Sequence, residues 1–110
     1  MLNINASMRD QIALIEVSGR IDSMNANQLG EALNHEIDSG HRHMVLDLAG
    51  VDYMSSAGLR EIVSALKKVR GSGDLRLAQP STRVREVLEM AGLDTIFQIY
   101  ATQSEAVGSY

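Results

Sequence analysis

The stretch that decides the fold covers residues 44–59, MVLDLAGVDYMSSAGL. It begins with an apolar run, residues 44–48, that only Asp47 interrupts, as expected for a strand covered on both faces. Beyond the stretch, apolar residues continue at helical spacing, namely Leu59, Ile62, Val63, Leu66 and Val69. The pattern predicts a buried strand, a turn with two adjacent serines, and an amphipathic helix that begins at those serines.

Ser55 and Ser56 stand where this helix is expected to begin. The first four N–H groups of a helix lack partners within it, and the helix dipole places partial positive charge at the same end. One interpretation is that either serine caps the helix through its hydroxyl oxygen. The other is that a phosphate on one of them would be compatible with the fold, because helix N-termini bind anions. The spacing alone leaves both interpretations open.

Strand and helix patterns alternate along the rest of the chain. The predicted strands lie at residues 4–8, 12–17, 44–48, 74–78 and 96–100. The predicted helices cover residues 24–39, the segment from the two serines to residue 70, and the segment between the cap Ser81 and Gly92, and a short terminal helix follows Thr102. A turn is expected at residues 18–23, where Asp22 or Ser23 would cap the first helix. This order predicts one α/β domain over residues 1–110, with a mostly parallel sheet of four to five strands and an N-terminal antiparallel hairpin.

The composition narrows the possible functions. The 110 residues are 45% hydrophobic and 22% charged with a net charge of −4, which fits one compact domain and gives no basic surface for nucleic acid. There is no cysteine for a disulfide or a thiolate metal site. We find neither an apolar run of the roughly 18 residues that span a bilayer nor a signal-peptide pattern. We therefore expect a cytoplasmic protein without direct membrane insertion.

The serine turn resembles the signature of the STAS domain family, which includes the anti-sigma factor antagonists and domains appended to sulphate transporters. In the antagonists, an aromatic residue and a methionine precede Asp-Ser-Ser/Thr-Gly-Leu, and a partner kinase phosphorylates the serine after the aspartate. Aligned on Met54 and Gly58, that serine corresponds to Ser56. Ser55 stands in place of the aspartate, and Ala57 in place of the second hydroxyl residue.

The resemblance also implies a site and an arrangement of helices. We expect the helices to lie mainly on one face of the sheet, and Gly19-Arg20-Ile21-Asp22 matches the family's Gly-x-x-Asp corner, which lies beside the phosphorylated serine. Without the resemblance, Asp22 would be interpreted only as a helix cap. The implied site residues are Ser56 for phosphorylation and, for partner binding, Asp22, Ser23, Met24, Met54, Ser55, Ala57, Gly58 and Arg60.

The implied partner is an anti-sigma factor that is itself a serine kinase, with a histidine-kinase-like ATPase fold, and that supplies ATP and magnesium. A metal-dependent serine/threonine phosphatase would remove the phosphate. The domain is expected to have no catalytic activity and no cofactor, and to regulate transcription indirectly by binding the kinase when unphosphorylated. The alternative is a STAS domain that is never phosphorylated and serves as a docking subunit of a transporter or signalling assembly. Ser55 in place of the aspartate keeps that alternative open.

Three catalytic or metal-binding interpretations fit the sequence less well. A hydrolase nucleophile elbow needs Gly-x-Ser-x-Gly, but Met54 occupies the first position and every histidine precedes Ser56. An aspartyl-phosphate receiver built on Asp47 needs a magnesium-binding acidic cluster and a lysine on a later strand, but neither of the later strands, 74–78 and 96–100, contains a lysine. His41 and His43 have no carboxylate or thiolate beside them to complete a metal site, so we expect surface histidines at the entrance to a strand.

Overall fold

The computed structural model describes residues 2–110. In chain order these residues form β1 Asn3–Arg9, β2 Ile12–Ile21, α1 Ala26–Asp38, β3 His43–Met54, α2 Ser56–Val69, β4 Asp74–Ala78, α3 Thr82–Met90, a 3-10 helix Leu93–Thr95, β5 Ile99–Tyr100 and α4 Gln103–Gly108. The five strands form one sheet in the order β1-β2-β3-β4-β5. Strand β1 is antiparallel to β2, and the other pairs are parallel. The predicted α/β fold with an N-terminal hairpin is confirmed.

The connections between strands determine which strand ends lie together at one edge of the sheet. In the hairpin, Asp10 and Gln11 both have positive φ, 53° and 70°, which is the combination of a two-residue type I′ turn. Each parallel connection instead passes through a helix, as parallel pairing requires. The C-terminal ends of β2, β3, β4 and β5 therefore meet at one edge of the sheet, here called the carboxyl edge.

The two faces of the sheet are covered unequally. Helices α1, α2 and α3 cover one face, and the largest side chains fully buried there are Ile15, Ile21, Leu29, Leu33, Met44, Leu46, Leu48, Ile62, Leu66, Leu75, Leu77 and Leu88. Helix α4 covers part of the other face, where a smaller buried cluster consists of Ile12, Leu14, Val45, Ala78, Ala106 and Val107. The expectation that the helices lie mainly on one face is confirmed.

Strands β2 and β3 are both longer than predicted. Strand β3 continues past Leu48 to Met54, and β2 continues to Ile21, into the segment 18–23 that was predicted to be a turn. Their last residues pair with each other from Ser18↔Gly50 to Ile21↔Met54, with one register shift before Ser18 and another between Gly19 and Arg20. The prediction ended both strands early because small and polar residues in these segments resemble turn residues, although tertiary pairing keeps the backbone extended.

The last strand is shorter than predicted. Only Ile99 and Tyr100 pair with β4, whereas residues 96–98 were also expected in the strand. The N–H groups of Ile96 and Phe97 both donate hydrogen bonds to the carbonyl oxygen of Leu93, so they are unavailable for a β ladder. Phe97 is buried in the main core instead, which explains why this apolar run resembles a strand.

Candidate functional site

The ends of β2 and β3 bring two loops together at the carboxyl edge. Ile21 lies opposite Met54 in the strand register. The N–H of Ser55 donates a hydrogen bond of 2.9 Å to the carbonyl oxygen of Ile21. This bond fixes the loop that contains Asp22 beside the turn that opens α2. The structure thus places the Asp22 corner and the serine turn next to each other, which is the arrangement that the resemblance implied.

The two adjacent serines have different environments. Ser55 is the N-cap of α2, with extended backbone, and its Oγ accepts a hydrogen bond of 3.2 Å from the N–H of Gly58. Ser56 is the first residue of the helix and is exposed. Its hydroxyl makes no hydrogen bond to any of residues 2–110. Ser55 therefore supplies the cap, and the hydroxyl of Ser56 is left facing solvent.

The backbone at Ser56 favours a negative charge. Among the first N–H groups of α2, that of Gly58 is satisfied by the cap. The N–H groups of Ser56 and Ala57 form no hydrogen bond within residues 2–110, as expected for the first turn of a helix. The first turn also contains no acidic side chain. An anion attached to Ser56 would therefore meet two open donors and the positive end of the helix dipole.

Met54 and Gly58 lie beneath the serine turn. Met54 is only 2% exposed, and a Cβ atom on Gly58 would lie 2.6 Å from Met54 Sδ and 2.7 Å from Ile21 Cγ2. Because real Cβ contacts are longer than this, glycine is what allows α2 to approach the ends of β2 and β3 so closely. Met54 and Gly58 are both buried and shape the turn from below, so a role of either residue in partner binding would be indirect.

Asp22 forms the corner that leads into α1. Its Oδ1 accepts hydrogen bonds from the N–H groups of Met24, at 3.0 Å, and Asn25, at 3.1 Å. This is an Asx-type turn, and the helix begins only after it, with Asn25 at the N-cap position. The prediction that Asp22 or Ser23 caps α1 is therefore wrong, because the chain makes one further turn before the helix.

Asn25 is a residue of this corner that the sequence analysis missed. Its Oδ1 accepts a hydrogen bond of 2.8 Å from the N–H of Asp22, and its Nδ2 donates one of 2.8 Å to the carbonyl oxygen of Arg20. The side chain of each of these two residues thus accepts a hydrogen bond from the backbone N–H of the other. The spacing Asp-x-x-Asn was the available signal, since both side chains readily bond to nearby backbone.

Exposed residues lie both in the loop before α1 and at the start of α2. Met24 is 88% exposed, and Ser23, Ser56 and Arg60 are exposed as well. From Ser56 a groove of about 690 Å³ follows α2 toward the segment after α3. Residues that line it include Ala57, Arg60, Val63, Lys67, Ala91 and Leu93. Ala91 and Leu93 were not among the predicted site residues, because only the tertiary fold brings them beside α2.

The fold and the serine turn described above can be compared with known protein families. The model of the STAS domain family matches residues 3–106 of the chain. The chain belongs to the STAS domain family. The family proposed from the serine turn is therefore confirmed by a match over nearly the whole chain.

Two relatives of this STAS domain show how its sequence compares. The protein BtrV of Bordetella bronchiseptica is 36% identical over 102 residues, which is 92% of this chain and 88% of BtrV. The anti-sigma-B factor antagonist of Staphylococcus aureus is 28% identical over 99 residues, which is 89% of this chain and 92% of the antagonist. In both comparisons nearly the full length of each chain is aligned.

Two solved structures show the same fold. The Thermotoga maritima protein TM1081 has a TM-score of 0.91 and 28% identity, over 96% of this chain and 92% of TM1081. The anti-sigma factor antagonist SpoIIAA of Bacillus, in its unphosphorylated form, has a TM-score of 0.83 and 21% identity over 96% of this chain and 93% of SpoIIAA. At that identity, the comparison with SpoIIAA concerns the fold alone.

The histidines of this STAS domain have separate neighbours. Nδ1 of His41 lies 2.9 Å from Oε1 of Glu36, whereas the ring of His43 packs edge-on against the ring of Tyr110. Within residues 2–110, no three His, Cys, Asp or Glu side chains are grouped so that they could hold a metal ion. In the same part of the chain, no helix is long and apolar enough to cross a membrane.

Asp47, the buried acidic residue of β3, is held by amide groups. Its carboxylate accepts hydrogen bonds from Nε2 of Gln79 and Nε2 of Gln103, the shorter of which is 2.6 Å long. It also accepts one of 2.9 Å from the N–H of Ala49. Gln103 lies on α4, so the carboxylate serves to attach this helix to the sheet.

Proposed function

We propose that this STAS domain is an anti-sigma factor antagonist whose partner binding is controlled by phosphorylation of Ser56. The observation that carries the proposal is the exposed hydroxyl of Ser56 at the start of α2, next to a cap that Ser55 already provides. The name of the 28% identical Staphylococcus aureus relative supports the same function. The proposed partner is an anti-sigma factor that is an ATP-dependent serine kinase with a histidine-kinase-like fold.

The phosphate would leave the fold intact. A phosphoserine adds about −1.5 to −2 charges and three acceptor oxygens at neutral pH. At the first position of α2 these oxygens would be near the open N–H groups of Ser56 and Ala57. Charge of this sign is favourable at a helix N-terminus. We therefore expect the modified domain to unfold at nearly the same temperature as the unmodified one.

The same phosphate would disrupt binding. The proposed binding surface consists of the exposed or half-exposed residues around Ser56, namely Asp22, Ser23, Met24, Ser55, Ala57 and Arg60. Met24, as an exposed apolar side chain, would be desolvated when the partner binds. A dianion in the middle of such a surface would remain hydrated and would oppose contact, because a buried unpaired charge is costly. The switch would thus act on the interface and leave the fold unchanged.

In this scheme the domain is a binding protein without catalytic activity of its own. The kinase would supply ATP and magnesium, a metal-dependent serine/threonine phosphatase would restore the unphosphorylated form, and all three proteins would act in the cytoplasm. The unphosphorylated domain would hold the kinase and so release a sigma factor. Transcription would change without any contact between this domain and nucleic acid.

The proposal is tested by incubating the domain with its cognate kinase and ATP and measuring the intact mass. We expect the mass of one phosphate on the unmodified chain and none on Ser56→Ala. Ser64→Ala is the matched control, because Ser64 is an exposed serine on the same helix, two turns further along, and it should be phosphorylated normally. Phosphate on Ser55 would show that the acceptor is misplaced, and no phosphate at all would favour the unphosphorylated docking subunit.

Binding to the kinase provides a second test. Ser56→Asp should weaken it at least about tenfold, equivalent to roughly 1.4 kcal/mol, because a charge enters a contact that the partner desolvates. Ser7→Asp serves as the control for added charge, because Ser7 is an exposed serine on β1 that does not line the groove, and this variant should bind nearly as well as the unmodified chain. Equal weakening by both substitutions would argue against a binding surface centred on Ser56.

A further inference from the structure

Arg60 is placed to reach a group attached to Ser56. The two residues are four positions apart on α2, which puts them on the same side of the helix with their Cβ atoms roughly 6 Å apart. Both are exposed, and both line the groove that follows α2. No hydrogen bond or ion pair with any of residues 2–110 engages the guanidinium of Arg60.

The other charged side chains of the groove are less suitable. They are Glu61 and Lys67. The carboxyl group of Glu61 lies against α1 at Gly30, and it has the same sign as a phosphate. Lys67 is eleven residues from Ser56, or about 16 Å along the helix axis at 1.5 Å per residue. Within the groove, Arg60 is therefore the cation closest to the serine.

We propose that Arg60 is the internal counter-ion of phosphorylated Ser56, donating guanidinium N–H hydrogen bonds to the phosphate oxygens. The proposal rests on the proposed function in one respect, because it assigns the phosphate to Ser56. An acidic group four residues before a basic one is the favourable order on a helix. Guanidinium groups bind phosphate oxygens through two parallel hydrogen bonds, which makes arginine the preferred side chain for this contact.

This contact would make one modification change two features of the surface. In the unphosphorylated domain, Arg60 is free to bind an acidic side chain of a partner. After phosphorylation the guanidinium turns toward Ser56. The groove then contains a negatively charged phosphate, and the guanidinium of Arg60 is no longer available to a partner. A partner that depends on Arg60 would then be released for both reasons.

The test uses the full chain with phosphoserine inserted at position 56 during translation, so that no kinase is needed. Phosphorus NMR then follows the titration of the phosphate in the unmodified background, in Arg60→Gln and in the control Lys67→Gln. We expect the phosphate pKa to be lower by about 0.3 to 0.7 with arginine present than in Arg60→Gln, from the strength of a helical ion pair and of charge-assisted hydrogen bonds. Lys67→Gln should leave it unchanged, and Arg60→Lys should restore part of the difference.

The inference would be overturned if the phosphate pKa were the same in the unmodified and Arg60→Gln backgrounds while the helical circular dichroism stayed intact. So would an equal change in Lys67→Gln, because it would show general screening by positive charge. A failure of the proposed function would give a different pair of results. If the kinase never modifies Ser56 but the NMR titration shows the Arg60 effect, the contact exists and only the proposed regulation is wrong.

Discussion

Replacing Ser55 by alanine should destabilise the fold, whereas the same replacement at Ser56 should have little effect. Ser55→Ala removes the oxygen that accepts a hydrogen bond from the N–H of Gly58. Loss of an N-cap side chain costs about 0.5 to 2 kcal/mol, typically about 1 kcal/mol. Ser56 is exposed and is the first residue of the helix, so Ser56→Ala should change the free energy of unfolding by no more than about 0.5 kcal/mol.

Urea unfolding followed by far-ultraviolet circular dichroism measures both changes. The dependence of the free energy on urea should be the same in both variants, because neither changes the surface exposed on unfolding. For a domain near this size, a loss of 1 kcal/mol lowers the Tm by roughly 4 °C. Ser55→Asp is the control that restores a capping oxygen, and it should be nearly as stable as the unmodified chain.

Equal losses for the two alanine variants, or a larger loss for Ser56→Ala, would refute the assignment of the cap to Ser55. The hydroxyl of Ser56 would then be holding the helix start, and phosphorylation there would break a structural hydrogen bond. The proposed switch depends on the opposite result.

Two further predictions concern packing and titration. Gly58→Ala should cost about 1 to 3 kcal/mol by overpacking, because its Cβ would meet Met54 and Ile21. Gly30→Ala should cost less in the same unfolding assay, since the atoms nearest to its Cβ belong to the movable carboxyl group of Glu61. Equal costs would contradict the packing described at Gly58. Burial raises the pKa of Tyr110 from 10.0 to about 12. The folded state therefore holds the phenol proton more tightly than the unfolded state does. For this reason the free energy of unfolding should fall as pH rises from about 10 to about 12. Tyr110→Phe should flatten this fall in urea unfolding at several pH values, and an identical slope in both chains would rule out this residue as the cause.

The sequence predicted the parts of the fold that follow from regular apolar spacing. The strand at residues 44–48 and the buried face of α2 are examples, since each has a clear period and a long apolar pattern. It failed where tertiary contacts overrule local composition. The segment after Leu48 contains Ala49 and Gly50, which resemble a turn, yet pairing with β2 keeps it extended to Met54.

The candidate site was predictable only in part. The order of residues indicated a helix that begins at two serines, but it did not show which hydroxyl caps the helix, because both have nearly the same sequence context. The backbone decides this, by giving Ser55 the extended cap conformation and Ser56 the first helical position. The burial of Met54 was equally unpredictable from the sequence, since a methionine beside a serine turn can face either the core or solvent.

The C-terminal tyrosine has a practical consequence for anyone who attaches a tag or a dye. The hydroxyl of Tyr110 bonds to the backbone of Met44 and Asp74, at the start of β3 and β4, whereas Ser56 follows the end of β3. Met44 and Met54 are ten residues apart on this strand, so the two places lie toward opposite ends of β3. Leu2, in contrast, precedes Asn3, which pairs with Ser18 near the end of β2. A dye attached near Tyr110 would therefore leave the carboxyl edge accessible, but one attached near Asn3 would lie closer to it.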